Sequence, residues 1–284
     1  MLFFESELGL PSVAEGTGRL RAEVRAFIDE EVANGGFRPQ CNSWTEGLEG
    51  EFSRRLGARG WIGYHWPREW GGRGGTAFET LTINEELLAA GAPVAAHWIA
   101  ARQSAPLLMR FGSERQRQDF LPRIAAGDTY FAIGMSEPDV GSDLASVRSR
   151  ADPSGDVWRL TGRKVWTSGA HVAHYAIVLC RTAPLDPRTR HAGLSQFIVD
   201  LKAPGVTIRP ILMLDGSHHF NCRRIDWWAR PAKDGSRSRA NWPMSAAGRS
   251  VSSARCPCSN AACVSCCRAH RPRPMPLRGA CSPA

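Results

Sequence analysis

Ile133-Gly134-Met135-Ser136-Glu137-Pro138-Asp139-Val140-Gly141-Ser142-Asp143 is the stretch on which the fold turns. A β-branched and aromatic run, Tyr130–Met135, leads into it, and Pro138 with Gly141 breaks the strand into a loop. Backbone N–H groups exposed beside a glycine can hold an anionic pyrophosphate, and serine hydroxyls add donors. A plain strand-to-turn connection would also want Pro138 and Gly141, so both readings stand on these residues alone.

Downstream the pattern stays short and β-branched. Val157–Lys164, Tyr175–Arg181, Leu194–Asp200 and Val206–Ile211 read as strands separated by Gly, Pro and Asp turns, which predicts a small all-β domain. Upstream the period is helical. Leu20, Val24, Phe27 and Ile28 line one face between Thr17 and Asn34, with Gly35-Gly36 as the stop. Further helices are predicted over Leu48–Arg59, Phe78–Ala90 and Val94–Phe111. Ser113 with Gln116 makes a capping box that opens one more, ending before Gly127. A block of helices followed by a block of strands is an α+β arrangement of segregated units rather than an alternating parallel sheet.

A second stretch, Gly162-Arg163-Lys164-Val165-Trp166-Thr167-Ser168-Gly169, sets an aromatic before two hydroxyls and a glycine. An indole can pack on an isoalloxazine ring while a neighbouring hydroxyl bonds the ring's edge. A tryptophan at a strand end is as readily a core residue.

Charge and cysteine divide the chain. The net charge is +9, yet residues 222–284 carry 12 basic and 2 acidic side chains, leaving 24 and 25 in the first 221 residues. The first part is therefore an ordinary, nearly neutral globular chain, not a nucleic-acid binder. Its two cysteines, Cys41 and Cys180, fit a reduced cytoplasmic protein. The start, Met1-Leu2-Phe3-Phe4-Glu5, lacks a basic leader, and no run of about 18 apolar residues occurs, so neither secretion nor a membrane span is expected. Beyond Asn221, only Ile225, Val251, Val264 and Leu277 supply Leu, Ile, Val or Phe. Such a segment cannot offset its ordering entropy by burial, and disorder is expected. Cys263 and Cys266 have a zinc-like gap, but their neighbours form no recognisable finger, so no metal site is assigned. The Arg268–Arg278 stretch lacks interleaved aromatics, so no specific nucleic-acid partner is assigned either.

The two motifs, in this order and spacing, resemble the acyl-CoA dehydrogenase family. The likeness extends through Gly60-Trp61-Ile62-Gly63, Trp66-Pro67-Arg68-Glu69-Trp70-Gly71-Gly72, Glu85-Glu86-Leu87, Phe111-Gly112-Ser113-Glu114 and Phe197-Ile198-Val199-Asp200. The resemblance implies a helical N-terminal domain over residues 1–128, a β-barrel middle domain over 129–221 and a C-terminal helical bundle. FAD would lie between the last two and across a subunit interface. Carried over by position, Ile133, Met135, Ser136, Gly141 and Ser142 would contact the flavin and its pyrophosphate, with Ser142 also near the substrate thioester. Trp166 would pack on the ring, Thr167 would adjoin it, and Ser168 would bond flavin N5. Ser136 and Ser168 stand where the family usually has Thr; serine keeps the hydroxyl, so binding should survive. The family removes an α-proton from an acyl-CoA while a hydride passes to flavin N5. Electrons then go to a separate acceptor, and the subunits assemble as homo- or hetero-oligomers.

The family's base is a carboxylate of the C-terminal bundle, which would begin near residue 235. Residues 222–284 show no such bundle, so no catalytic residue is assigned. Back-translated from Cys222 with permitted codon choices and read from the third base of each codon, the chain can give P-A-D-R-L-V-G-E-A-G-E-G-W, which resembles the family's entry into that bundle; the Trp codons allow no choice. A deletion that removed the last barrel strand and shifted the frame is the expectation for this basic tail, and with it an inactive chain. Two other classes stay open: a related flavin monooxygenase on the same scaffold, and a non-catalytic remnant that pairs with an intact homologue.

Overall fold

The computed structural model describes residues 17–155 and 157–229. Its first half is helical: α1 (Gly18–Ala33), α2 (Ser43–Glu46), α3 (Gly50–Ala58), α4 (Ala77–Ala89), α5 (Ala95–Ile99), α6 (Ala105–Phe111) and α7 (Glu114–Ala125). The apolar stripe of α1 is buried as its period requires, and Phe27 meets the ring of Trp61 edge-on at 5.3 Å. Val24, Phe52, Ile83 and Leu87 fill the same core. Glu86 of α4 accepts from Arg25 Nε at 2.6 Å and also pairs with Arg21, tying α4 to α1. The capping box of Ser113 and Gln116 is formed in both directions. One predicted helix is broken. Between α5 and α6, Ala100–Ser104 forms a π-helical turn, a widening that no residue type announces.

The second half is one mixed sheet of seven strands: β1 (Phe131–Gly134), β2 (Arg150–Ser154), β3 (Val157–Ser168), β4 (Tyr175–Arg181), β5 (Leu194–Asp200), β6 (Val206–Leu212) and β7 (His218–Ala229). They run in the order β1-β4-β2-β3-β7-β6, with β5 on β4. Strand β1 pairs β4 in parallel, and β3 pairs β2 and β7 antiparallel. Trp158, Leu160, Ala176, Val178 and Phe197 make its core. The exposed β2 did not show itself in the sequence, because Arg150-Ala151-Asp152-Pro153-Ser154 has the composition of a loop and is a strand through its pairing to β3.

Against the expectation of disorder from residue 222, with the last strand of the β-domain lost, β7 crosses position 221 and continues to Ala229 along β3. Ladder hydrogen bonds come from the backbone and are indifferent to side-chain identity. The cysteines from Cys256 onward, the Arg268–Arg278 stretch and most of the tail lie outside the described residues. No helix among the described residues is long and apolar enough to cross a membrane.

Candidate functional site

The two motif stretches meet at a β-bulge. Strand β3 keeps register with β7 as far as Lys164 opposite Arg223, loses it, and resumes at Thr167 opposite Asn221. Until Lys164 the inward residues are alternate ones, Trp158, Leu160 and Lys164. The extra residue reverses that phase. Thr167 then faces the core, and Trp166, which plain alternation would have buried, is 59% exposed. Trp166 has φ +56°, alone among the non-glycine residues described. That conformation costs a side-chain-bearing residue of the order of 1–3 kcal/mol, so the surrounding structure must enforce it.

What enforces it is the loop after β1. The Val165 N–H, in the bulge, donates to the Ser136 carbonyl at 3.0 Å. Glu137 and Val140 exchange two backbone hydrogen bonds, at 2.7 and 3.1 Å, closing the turn between them. The Glu137 carboxylate is buried and accepts from Arg148 N at 2.7 Å, Ser149 N at 2.9 Å and Lys164 Nζ at 2.8 Å. Burial opposes its ionisation, but the hydrogen bonds from Lys164, Ser149 and Arg148 outweigh that and hold its carboxyl below the usual value. Burial lowers the pKa of Lys164 too, below the usual lysine value, with the hydrogen bond to Glu137 opposing.

The assigned residues divide into three groups. Ile133, Met135 and Ser136 are half-buried along β1 and its exit; Gly141 and Ser142 are exposed on the loop. Trp166 and the half-buried Ser168 flank the bulge, with the Trp166 and Phe220 rings edge-to-face at 5.8 Å. Thr167 stands apart, fully buried, its hydroxyl without a hydrogen-bond partner among the described residues and its carbonyl accepting from Asn221 Nδ2 at 3.1 Å. The exposed indole of Trp166, the half-buried Ser168 beside it and the free space where a Cβ on Gly141 would stand are of the kind that suits a flat aromatic group with an anionic tail.

Glu137 and Lys164 lie inside the quoted stretches but were not singled out. The signal was present for Lys164, since it continues the inward alternation of Trp158 and Leu160. Beyond the bulge, His171 stacks on His218 at 4.0 Å, and fully buried Asn221 bonds both imidazoles. A cavity of about 310 Å³ in the helical domain, walled by Leu56, Trp66, Leu87 and Trp98, includes none of the assigned residues. Among the described residues no group of three His, Cys, Asp or Glu could hold a metal ion.

Sequence models of two domains match the chain: acyl-CoA dehydrogenase, N-terminal domain, over residues 15–128, and acyl-CoA dehydrogenase, middle domain, over residues 132–226. Acyl-CoA dehydrogenase FadE29 of Mycobacterium tuberculosis is 43% identical over 168 residues, which is 59% of this chain and 42% of that protein. The chain spans about half the length of the curated relatives it matches. Among solved structures, the Tcur3481-Tcur3483 steroid ACAD is similar with TM-score 0.66 and 34% identity, over 75% of this chain and 55% of that one. A glutaryl-CoA dehydrogenase from Mycobacterium smegmatis in complex with FADH2 is similar with TM-score 0.61 and 26% identity, over 79% of this chain and 57% of that one.

Proposed function

The chain belongs to the acyl-CoA dehydrogenase family through its N-terminal and middle domains, and from that premise we propose that its β-domain carries one half of an FAD seat for α,β-dehydrogenation of an acyl-CoA thioester. The observation that carries this is the junction at the bulge, where the Ser136 loop and Trp166 are held together and the indole is turned out of the core. A similar structure in complex with FADH2 supports the choice of cofactor.

FAD, when bound, supplies the acceptor for the hydride leaving the acyl β-carbon. Trp166 would offer the aromatic surface for the ring, and the Ser168 hydroxyl a donor to its edge. Ser136, Gly141 and Ser142 would meet the pyrophosphate through hydroxyls and backbone N–H groups, with Ile133 and Met135 as apolar contacts and Ser142 also toward the thioester. By the same reading the partners are an acyl-CoA substrate, an electron-transferring acceptor and further subunits, in the cytoplasm.

Abstraction of the α-proton needs a carboxylate within hydrogen-bond reach. For residues 222–284 the proposal is a shifted reading frame, so that this chain taken alone supplies no such base, holds FAD weakly and does not turn over. The abrupt charge change supports it, and so does Arg223, a fully buried guanidinium with no hydrogen-bond partner among the described residues. A strand selected for this slot would not place an unpaired charge there.

Titration of the purified chain with FAD is expected to give weak, saturable quenching of flavin fluorescence that Trp166→Ala loses. Quenching unchanged in that variant would rule out the seat. Acyl-CoA oxidation by the unmodified chain would contradict the missing base, and a repeated gene sequence with no family-like reading in the shifted frame would remove the frame proposal.

A further inference from the structure

One side chain spans the two segments of the proposed seat. Lys164 is fully buried in β3, and its ammonium donates to the Met135 carbonyl at 3.0 Å and to Glu137 Oε1 at 2.8 Å. It therefore grips the loop on both sides of Ser136, whose own carbonyl is held by the next residue of β3, Val165. Glu137 also accepts from the Arg148 N–H on Oε2 and the Ser149 N–H on Oε1, which fixes the carboxylate at the start of the next loop as well. The strand then turns at once into the positive φ of Trp166.

A buried ion pair rarely adds net stability over an apolar pair of the same shape, because desolvation cancels most of the attraction. What Lys164 supplies that a methionine could not is direction. Its ammonium reaches a main-chain carbonyl that has left the ladder of β1, and it ends next to the bulge. We infer that Lys164, paired with Glu137, is a positioning residue that fixes the Met135–Val140 loop against the Trp166 bulge. Its loss frees the loop without unfolding the sheet. The inference rests on the flavin reading of this site for its purpose, though not for its geometry.

The test uses the full chain and the double variant Glu137→Gln/Lys164→Met, which removes both charges and leaves neither buried alone. One backbone N–H, of Arg148 or Ser149, then faces the glutamine amide nitrogen, so the melting temperature is expected to fall by a few degrees while the sheet stays folded. The Val140 and Val165 amides should exchange at least tenfold faster with deuterium, while those of β4 stay as they were. Loop amides as protected as in the wild type would overturn the inference; so would a rise shared equally by β4, which would make the pair an ordinary staple of the sheet. Lys164→Met alone leaves the carboxylate without its counter-charge and is expected to lower melting further than the double variant does.

Flavin binding gives the second readout. The double variant is expected to bind FAD at least tenfold more weakly than the wild type, and equal affinity would overturn the role of Lys164. A wild type that binds no FAD would sink the flavin reading instead, while the exchange result still decides whether Lys164 positions the loop.

Discussion

Lys164 of β3 and Arg223 of β7 stand directly opposite each other, both fully buried, and among the described residues the one carboxylate that pairs with either is Glu137, on Lys164. Among the described residues, none of the three guanidinium nitrogens of Arg223 has a hydrogen-bond partner. Burial pulls its pKa down to about 10, which for an arginine measures how poorly this place suits a charge.

Arg223→Leu is therefore expected to stabilise the chain, by roughly 1–4 kcal/mol, since an apolar residue removes a desolvated charge without leaving a partner stranded. The urea midpoint reads it. A lower midpoint would show that the guanidinium is satisfied in solution in a way the structure does not provide.

Gly134 and Arg223 should be coupled. A Cβ on Gly134 would collide with the Arg223 guanidinium and come into contact with the Lys164 stem. Gly134→Ala is expected to cost roughly 1–3 kcal/mol in the wild type and clearly less beside Arg223→Leu. Equal costs in the two backgrounds would argue that β1 and β7 do not meet there.

Trp166 trades stability for its placement. Its indole is largely exposed and its φ is positive, so Trp166→Gly loses little burial and relieves the backbone. Stability is expected to hold or rise by about 1 kcal/mol while the quenching of added FAD disappears. A large loss of stability would mean the indole is packed, not presented.

His97 makes the helical domain acid-sensitive. Buried and bonded to Ser53 Oγ at 2.8 Å, it has its pKa lowered by desolvation to about 4, against 6.5 for a free imidazole. Between those values the unfolded chain binds the proton and the folded one does not. Stability should thus be full above pH 6.5 and fall by at most roughly 3 kcal/mol as pH drops toward 4. Urea midpoints across this window should be flatter for His97→Asn than for the wild type. Parallel curves would exclude His97 as the cause.

Much of this molecule could be read from order and periodicity. The stripe Leu20, Val24, Phe27, Ile28 is a helix face because 3.6-residue spacing admits little else, and Ser113 with Gln116 starts α7 by satisfying its own orphan N–H groups. Strands β4 and β5 formed where β-branched runs placed them. Strand β2 and the part of β7 beyond Asn221 were not visible, since pairing to a neighbour, not composition, makes them strands.

The sequence by itself determined which residues are of the kind a flavin seat uses: small hydroxyls, a glycine and an indole in two short stretches. Which way they face was decided only in three dimensions. By alternation alone Trp166 would lie on the inward side with Leu160 and Lys164; a single unpaired residue in the β3–β7 ladder turns it outward and Thr167 in. A bulge is a property of two strands in register, held here by Ser136 from a third segment, and no local preference of Val165 or Trp166 encodes it.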